Sequence, residues 1–340
     1  MKRQPRSSPC FAKGLRTASI IGTGSYAPEK RLTNDDLSRM VDTSDEWITT
    51  RTGIKERRIA AKDEQTSDMA AKAALRALEQ ANVKPEALDL ILVATATPDM
   101  VFPATACFVQ KKIGAKKAAC FDVSAACAGF LFAVEIGQQF ISSRTYEYVM
   151  VIGADKLTAI TNWTDRNTCV LFGDGAGAAL LAHRGDAHGV ISTYMASDGK
   201  FSDILFMPGG GTKTPITREN AHMNLHTIHM SGKEVYKQAV TAMLAAAKKT
   251  IERAGLAVED IACIIPHQAN LRIIEAVGER LGIPREKVFV NVDRYGNTSA
   301  AAVAIALDEA NRSGRIKKGD YVLMVVFGGG LTWASTIVEW

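Results

Sequence analysis

Apolar residues fill nearly every position of LDLILVAT at 88–95 instead of alternating with polar ones. A strand of that kind is buried on both faces, as in a sheet covered by helices on either side. Upstream, ASIIG at 18–22 predicts a first strand that ends in the glycine-rich turn GTGS, and SDMAAKAALRALEQ at 67–80 predicts an amphipathic helix capped by Ser67. Between them, TNDDLSRMVDTSDEWITTRTG at 33–53 opens on a capping-type Thr-Asn-Asp-Asp. If helical, it sets Trp47 and Arg51 on one face, four residues apart. Further on, residues 118–123 read as a short apolar strand and residues 130–136 as a helix. Helices alternating with buried strands predict an α/β layered fold with a mainly parallel sheet.

The pattern then repeats. The stretch at 71–95, AKAALRALEQANVKPEALDLILVAT, has a counterpart in AAKKTIERAGLAVEDIACIIPH at 246–267: helix, break, acid, apolar strand. QKKIGAKKAACFDVSAACAGF, ending at Phe130, resembles ERLGIPREKVFVNVDRYGNTSAAAV, ending at Val303, with a helix end at Gly114 or Gly282 and then a strand. YEYVMVIGADK from Tyr146 matches DYVLMVVFGGG from Asp320. Three matched segments in one order imply two similar halves, 17–188 and 189–340, behind a basic tail of residues 1–16.

Charge narrows the function classes. The net charge of +5 comes from Lys2, Arg3, Arg6, Lys13 and Arg16, so the chain beyond them is neutral overall and has no global field for nucleic acid. No apolar run reaches the length of a membrane span. The tail has the acid-free composition of a transit peptide, but it is short and lacks an apolar secretory core, so it reads as a solvated terminus. Six scattered cysteines without CxxC spacing argue against a zinc site and for reduced thiols, hence a cytoplasmic location.

The chemistry centres on FDVSAACAGF at 121–130, where Cys127 falls at the start of a helix among alanines and a glycine. Unpaired N–H groups and the partial positive charge of a helix N-terminus favour a thiolate there. His267 and Asn297 also follow strands of the pattern, and in α/β sheets ligands gather at strand carboxyl ends. A thiol attacks acyl carbonyls, while an imidazole N–H and an amide can hold an oxyanion or enolate oxygen. Two readings follow: hydrolysis of a peptide or ester, or an acyl group held on sulfur for a carbon nucleophile. The papain-type signature around the cysteine is absent.

FDVSAACAGF, IIPHQANLR, GNTSAA, FGDGAGAA, FGGGLTW and DTSDEWITTRTGI together resemble the β-ketoacyl-acyl-carrier-protein synthase III family of the thiolase superfamily, from about Ala18 to Trp340. The resemblance implies a five-layered αβαβα fold of duplicated halves and a homodimer. It implies an acyltransferase that condenses acyl-CoA, acetyl-CoA foremost, with malonyl-acyl-carrier protein, needing no metal or redox cofactor. Cys127 would carry the acyl thioester, His267 and Asn297 would hold the enolate, and the Cys127 and Gly329 N–H groups would form the oxyanion hole. Trp47, Arg51 and Arg166 would bind CoA. Phe102 matches a position at which the partner subunit closes the acyl pocket. Gln268, Ala269, Asn270, Leu271 and Arg272, with Lys237, would meet the carrier protein. Glu279 and Lys233 depart from residues often found in relatives, basic and Asn respectively. GDGAG at 173–177 is taken as a tight structural turn, since no phosphate-loop GxxxxGK[ST] occurs. A related acyl-transferring or specialised-metabolite synthase is the nearest alternative, and a non-catalytic carrier-binding module a distant one.

Overall fold

A computed structural model of the chain describes residues 16–185 and 189–340. The basic tail, Cys10 included, and the boundary placed at 188 fall outside the described residues, save for Arg16. The first half contributes strands β1 (Ala18–Tyr26), β2 (Leu90–Ala94), β3 (Ala119–Val123), β4 (Tyr148–Lys156) and β5 (Asp174–His183), arranged β1-β5-β4-β2-β3. The second contributes β6 (Gly189–Ser197), β7 (Ile261–Pro266), β8 (Tyr321–Gly328) and β9 (Thr332–Glu339), arranged β7-β8-β9-β6. Reading β6, β9, β8, β7 against β1, β5, β4, β2 gives the same order twice. The strand expected after Gly282, equivalent to β3, shrinks to a single parallel bridge between Ile264 and Val288.

Helices α1 (Asp45–Thr52), α2 (Thr66–Ala81), α3 (Thr105–Ile113), α4 (Gly129–Ser142), α5 (Gly232–Ala254), α6 (Leu271–Leu281) and α7 (Ala300–Arg312) complete the layers. Along β2 the side chains alternate between two cores, as the period of two requires. Leu90 and Leu92 join Phe130, Val134, Val303 and Leu307 between the sheets, while Ile91 and Val93 join Met69, Ala73 and Val109 beneath α2 and α3. A third core packs Ile264, Leu323 and Val325 on Val240, Met243 and Val277 of α5 and α6. Three cores between five layers give the αβαβα fold.

Four local expectations change. The first sheet is mixed: β2 runs parallel to β3 and β4, but β5 is antiparallel to β4 and to β1. The connection from β4 to β5, residues 157–173, holds two one-turn helices and no crossover helix. β1 also runs through GTGS instead of ending there, because a Cβ at Gly24 would collide with the α2 backbone at Ala73 and Ala77. GDGAG is the start of β5, not a turn: a Cβ at Gly177 would meet Ala304 of α7. Ser67 lies inside α2, whose N-cap is Gln65: the Asp68 carboxylate accepts the Gln65 N–H at 2.9 Å, while the Ser67 N–H donates to Asp99. Among the described residues no helix is long and apolar enough to cross a membrane.

Candidate active site

Cys127 sits on a single 3₁₀ turn, Ala126–Ala128, between β3 and α4. Ala126 before it adopts φ +45°, a left-handed conformation that L-residues other than Asn and Asp rarely take, and one often found beside reacting groups. The end of β8 presses onto this turn: a Cβ at Gly328 would lie 2.7 Å from the Cys127 nitrogen, so only glycine permits the approach. Thr332 ties the two together, its hydroxyl donating to Ala125 O at 3.0 Å and within 3.2 Å of Gly329 O. Gly329 thereby enters the same cavity as Cys127.

His267 follows β7, its N–H donating to Val325 O at 2.8 Å, and is buried. Asn297 is fixed from the opposite half: its N–H donates to Leu171 O at 2.8 Å and its C=O accepts from Gly173 N at 3.0 Å. The Asn297 Oδ1 accepts the Ser299 N–H at 2.9 Å, which leaves the Nδ2 donors for the cavity. Cys127, His267, Asn297 and Gly329 thus line one cavity of about 900 Å³, whose remaining wall is largely apolar, with Leu157, Leu171, Phe172 and Leu205.

Electrostatics reverse one expectation. Burial pushes the Cys127 thiol up to about 12, with the nearby Asp155 carboxylate adding to the rise, against the opposing bonds from Ser299 and its own backbone. Burial outweighs the bonds that favour the thiolate, so the thiol stays protonated. Burial also pushes His267 down to about 4, and its Nδ1 has no hydrogen-bond partner. The site holds a neutral thiol and a neutral imidazole, not an ion pair. An imidazole that must remain uncharged in the fold stabilises the native state fully above pH 6.5, and this contribution is lost as pH falls toward 4, where the unfolded chain binds the extra proton. Wild type is expected to lose up to roughly 3 kcal/mol more than His267→Asn between those limits, measured by urea unfolding across pH. Parallel pH curves for the two proteins would refute it.

The cavity opens beside α1, where the Arg51 and Arg166 guanidinium carbons lie 4.5 and 5.2 Å from the Trp47 ring centroid. Trp47 and Arg51 line the opening; Arg166 does not, being held back by Asp42 through its carbonyl at 2.7 Å and carboxylate at 3.2 Å. Phe102 is 82% exposed and lies off its own chain's cavity.

Of the residues expected at a carrier surface, Gln268 is a correction. It is 1% exposed, and its amide is spent on Pro266 O, Phe289 O and the Asn291 and Val292 N–H groups, bracing the loop after His267. Asn270 caps α6 through Arg272 N and donates to Arg51 O, and Leu271 packs against Gly53. Ala269 lines the cavity wall, and Arg272 its mouth, with its guanidinium carbon 5.7 Å from the Tyr236 ring centroid. Lys237 and Glu279 are exposed, and Lys233 reaches the cavity opening.

Two side chains at the nucleophile escaped the sequence reading. Ser299 lines the cavity beside Cys127, and the Asp155 carboxyl is buried near the carboxyl end of β4, close enough to raise the thiol's proton affinity. The acid at a strand end in GADK was the available signal.

Residues 121–199 match the family described as 3-oxoacyl-[acyl-carrier-protein] synthase III, and residues 251–340 its C-terminal region. A β-ketoacyl-[acyl-carrier-protein] synthase III of Caldanaerobacter subterraneus is 58% identical, over 95% of this chain and 98% of the relative. The crystal structure of 3-oxoacyl-[acyl-carrier-protein] synthase III from Aquifex aeolicus superposes with a TM-score of 0.89 at 49% identity, covering 95% of this chain and all of that one. The priming β-ketosynthase of the R1128 polyketide pathway superposes equally well, TM-score 0.89, at 36% identity, over 97% of this chain and 98% of that one. On identity sustained over nearly the whole chain, with the thiol, imidazole and amide in one cavity, this protein belongs to the β-ketoacyl-[acyl-carrier-protein] synthase III family.

Proposed function

We propose that the chain catalyses the initiating condensation of type II fatty acid synthesis: acyl transfer from acyl-CoA to Cys127, then decarboxylative condensation with malonyl-acyl-carrier protein. The observation that carries this reading is the meeting of Cys127, His267 and Asn297 in one cavity whose opening carries Trp47, Arg51 and Arg272. An aromatic ring and cations there suit a nucleotide with phosphates, and an acidic carrier helix after it.

In the first step the sulfur attacks the thioester carbonyl, and the Cys127 and Gly329 N–H groups receive the developing oxyanion. CoA leaves as its thiol, carrying the proton that the Cys127 thiol gives up, and the acyl group stays on sulfur. In the second, the malonyl carboxylate departs as CO₂, and the electron pair it leaves flows into the neighbouring thioester carbonyl. A neutral His267 donates one N–H to that oxygen and the Asn297 amide donates another, so the enolate forms without a free carbanion. Its carbon attacks the acyl thioester, and collapse of the intermediate expels the Cys127 thiolate, which takes up a proton to restore the thiol. No electrons pass to a carrier, so the scheme calls for neither metal nor redox cofactor. Exposed Met100, Val101 and Phe102 support a homodimer in which a second copy covers this loop. Free thiols at the described cysteines accord with the cytoplasm.

Mass spectrometry tests the sequence of steps. Acetyl-CoA is expected to add an acetyl group to the Cys127 peptide, and malonyl-acyl-carrier protein to discharge it as 3-oxobutanoyl-acyl-carrier protein. An adduct that persists with no new carrier product would overturn the condensation.

A further inference from the structure

Arg57 is fully buried, forms no part of the cavity wall, and has no place in the condensation scheme. It lies on the short strand Glu56–Arg58, and its guanidinium reaches two separate segments of the chain. One terminal nitrogen donates to Asn34 Oδ1 at 2.7 Å and Leu32 O at 3.4 Å, and the other donates to Val170 O. All three acceptors are neutral oxygens, and the Nε is buried with no partner among the described residues. Burying a cation against neutral oxygens is costly, and an apolar side chain would fill the same space without that cost.

Val170 opens the segment from which Asn297 hangs. Leu171 O accepts the Asn297 N–H at 2.8 Å, Phe172 bridges to Asn297 in parallel, and Gly173 N donates to Asn297 O at 3.0 Å. The stem of Arg57 lies against the same contact. A Cβ at Gly173 would stand 3.0 Å from the Arg57 Cβ, and a Cβ at Gly296, the residue before Asn297, would stand 3.3 Å from it. Arg57 therefore meets the Asn297 turn twice, at its base through Gly173 and Gly296 and at its head through Val170. A charge-assisted hydrogen bond is short and about twice as strong as a neutral one, and burial strengthens it further. The guanidinium fixes the Val170 peptide, and the next residue presents the carbonyl that receives Asn297.

We propose that Arg57 is a positioning residue for the enolate step, holding residues 170–173 so that the Asn297 amide is aimed at the forming enolate oxygen. The proposal rests on Asn297 as a donor in that step. Acyl loading depends on a different framework, in which the packing of Gly328 and the hydroxyl of Thr332 set the Cys127 turn and Gly329, and Arg57 takes no part in it. A displaced Asn297 weakens one of the two enolate donors and leaves the loading groups where they are.

The test is Arg57→Lys, which keeps the charge but replaces the rigid two-nitrogen fork with a point charge on a flexible stem. Arg57→Gln, which buries no charge, carries the same prediction should Arg57→Lys fail to fold. Single-turnover acetylation of Cys127 at saturating acetyl-CoA, and CO₂ release from malonyl-acyl-carrier protein by the acetylated enzyme, are followed by rapid quench beside Asn297→Ala and the double variant. Loading is expected to stay within a few-fold of wild type while CO₂ release slows roughly tenfold to a hundredfold. The double variant is expected to release CO₂ no more slowly than Asn297→Ala alone, since nothing is left to aim once the amide is gone. Wild-type CO₂ release in a folded Arg57 variant would overturn the proposal. So would an equal fall in both half-reactions, or effects that multiply in the double variant, which are what a general packing role would give. If Asn297→Ala releases CO₂ at the wild-type rate while Cys127 still loads, the role given to Asn297 falls, and the positioning role with it. If Cys127 takes up no acyl group from any acyl-CoA, the functional reading itself falls first.

Discussion

A Cys127→Ala protein is expected to take up no acyl group from acetyl-CoA, where wild type takes up one per chain. Five cysteines lie among the described residues, and geometry separates them sharply. Cys169 and Cys263 are fully buried, and Cys107 and Cys120 pair their sulfurs at 3.6 Å away from the cavity. Cys127 is the one that lines the cavity. Alanine removes the sulfur and keeps the small side chain that the turn against Gly328 accepts, so the fold should survive. The effect is all or none because the acyl-enzyme has no substitute nucleophile there, and overall condensation should drop to background. Intact-protein mass after acetyl-CoA checks it. Stoichiometric acylation of the variant would mean that the acceptor is a different residue.

Replacing His267 or Asn297 by alanine should leave acylation of Cys127 within a few-fold of wild type while slowing CO₂ release from malonyl-carrier protein by about a hundredfold to a thousandfold. The argument is one of timing. The enolate oxygen exists only after the carboxylate departs, so two preorganised donors aimed at it act on that barrier and not on thioester exchange. The depressed pKa of His267 keeps its ring uncharged through the working pH range, fitting it to donate a hydrogen bond without becoming a cation that would compete for the malonyl carboxylate. Rapid-quench loading and CO₂ release, measured on each variant, separate the two half-reactions. Loading that collapses while decarboxylation survives would exchange the roles assigned here.

Where the sequence pattern led to the right element, the cause was local and periodic. β2 is legible because its apolar run serves two cores at once, and the repeat is legible because each half rebuilds the same layers. Where it misled, a distant partner decided the outcome. GTGS and GDGAG look like turns because glycine is common in turns, but here the missing side chains let α2 and α7 lie directly on the strands. Gln268 looks like a surface residue in a polar loop, yet its amide is consumed inside. The helix-end argument for a thiolate used only the chain near Cys127, whereas burial by the other half sets the proton affinity.

By itself the sequence determined the layered α/β class, the duplication, the family and the identities of Cys127, His267 and Asn297, because motif and periodicity are properties of neighbouring residues. Only the tertiary structure decided which groups meet. The bridge between Phe172 and Asn297 carries the second half's loop to the first half's nucleophile, and the Ala300 N–H bond to Asp155 draws Ser299 beside it. Those contacts join residues more than a hundred positions apart, and the burial they create sets both the neutral thiol and the neutral imidazole. Burial and the distance between charges belong to the folded chain, and no stretch of sequence carries them alone.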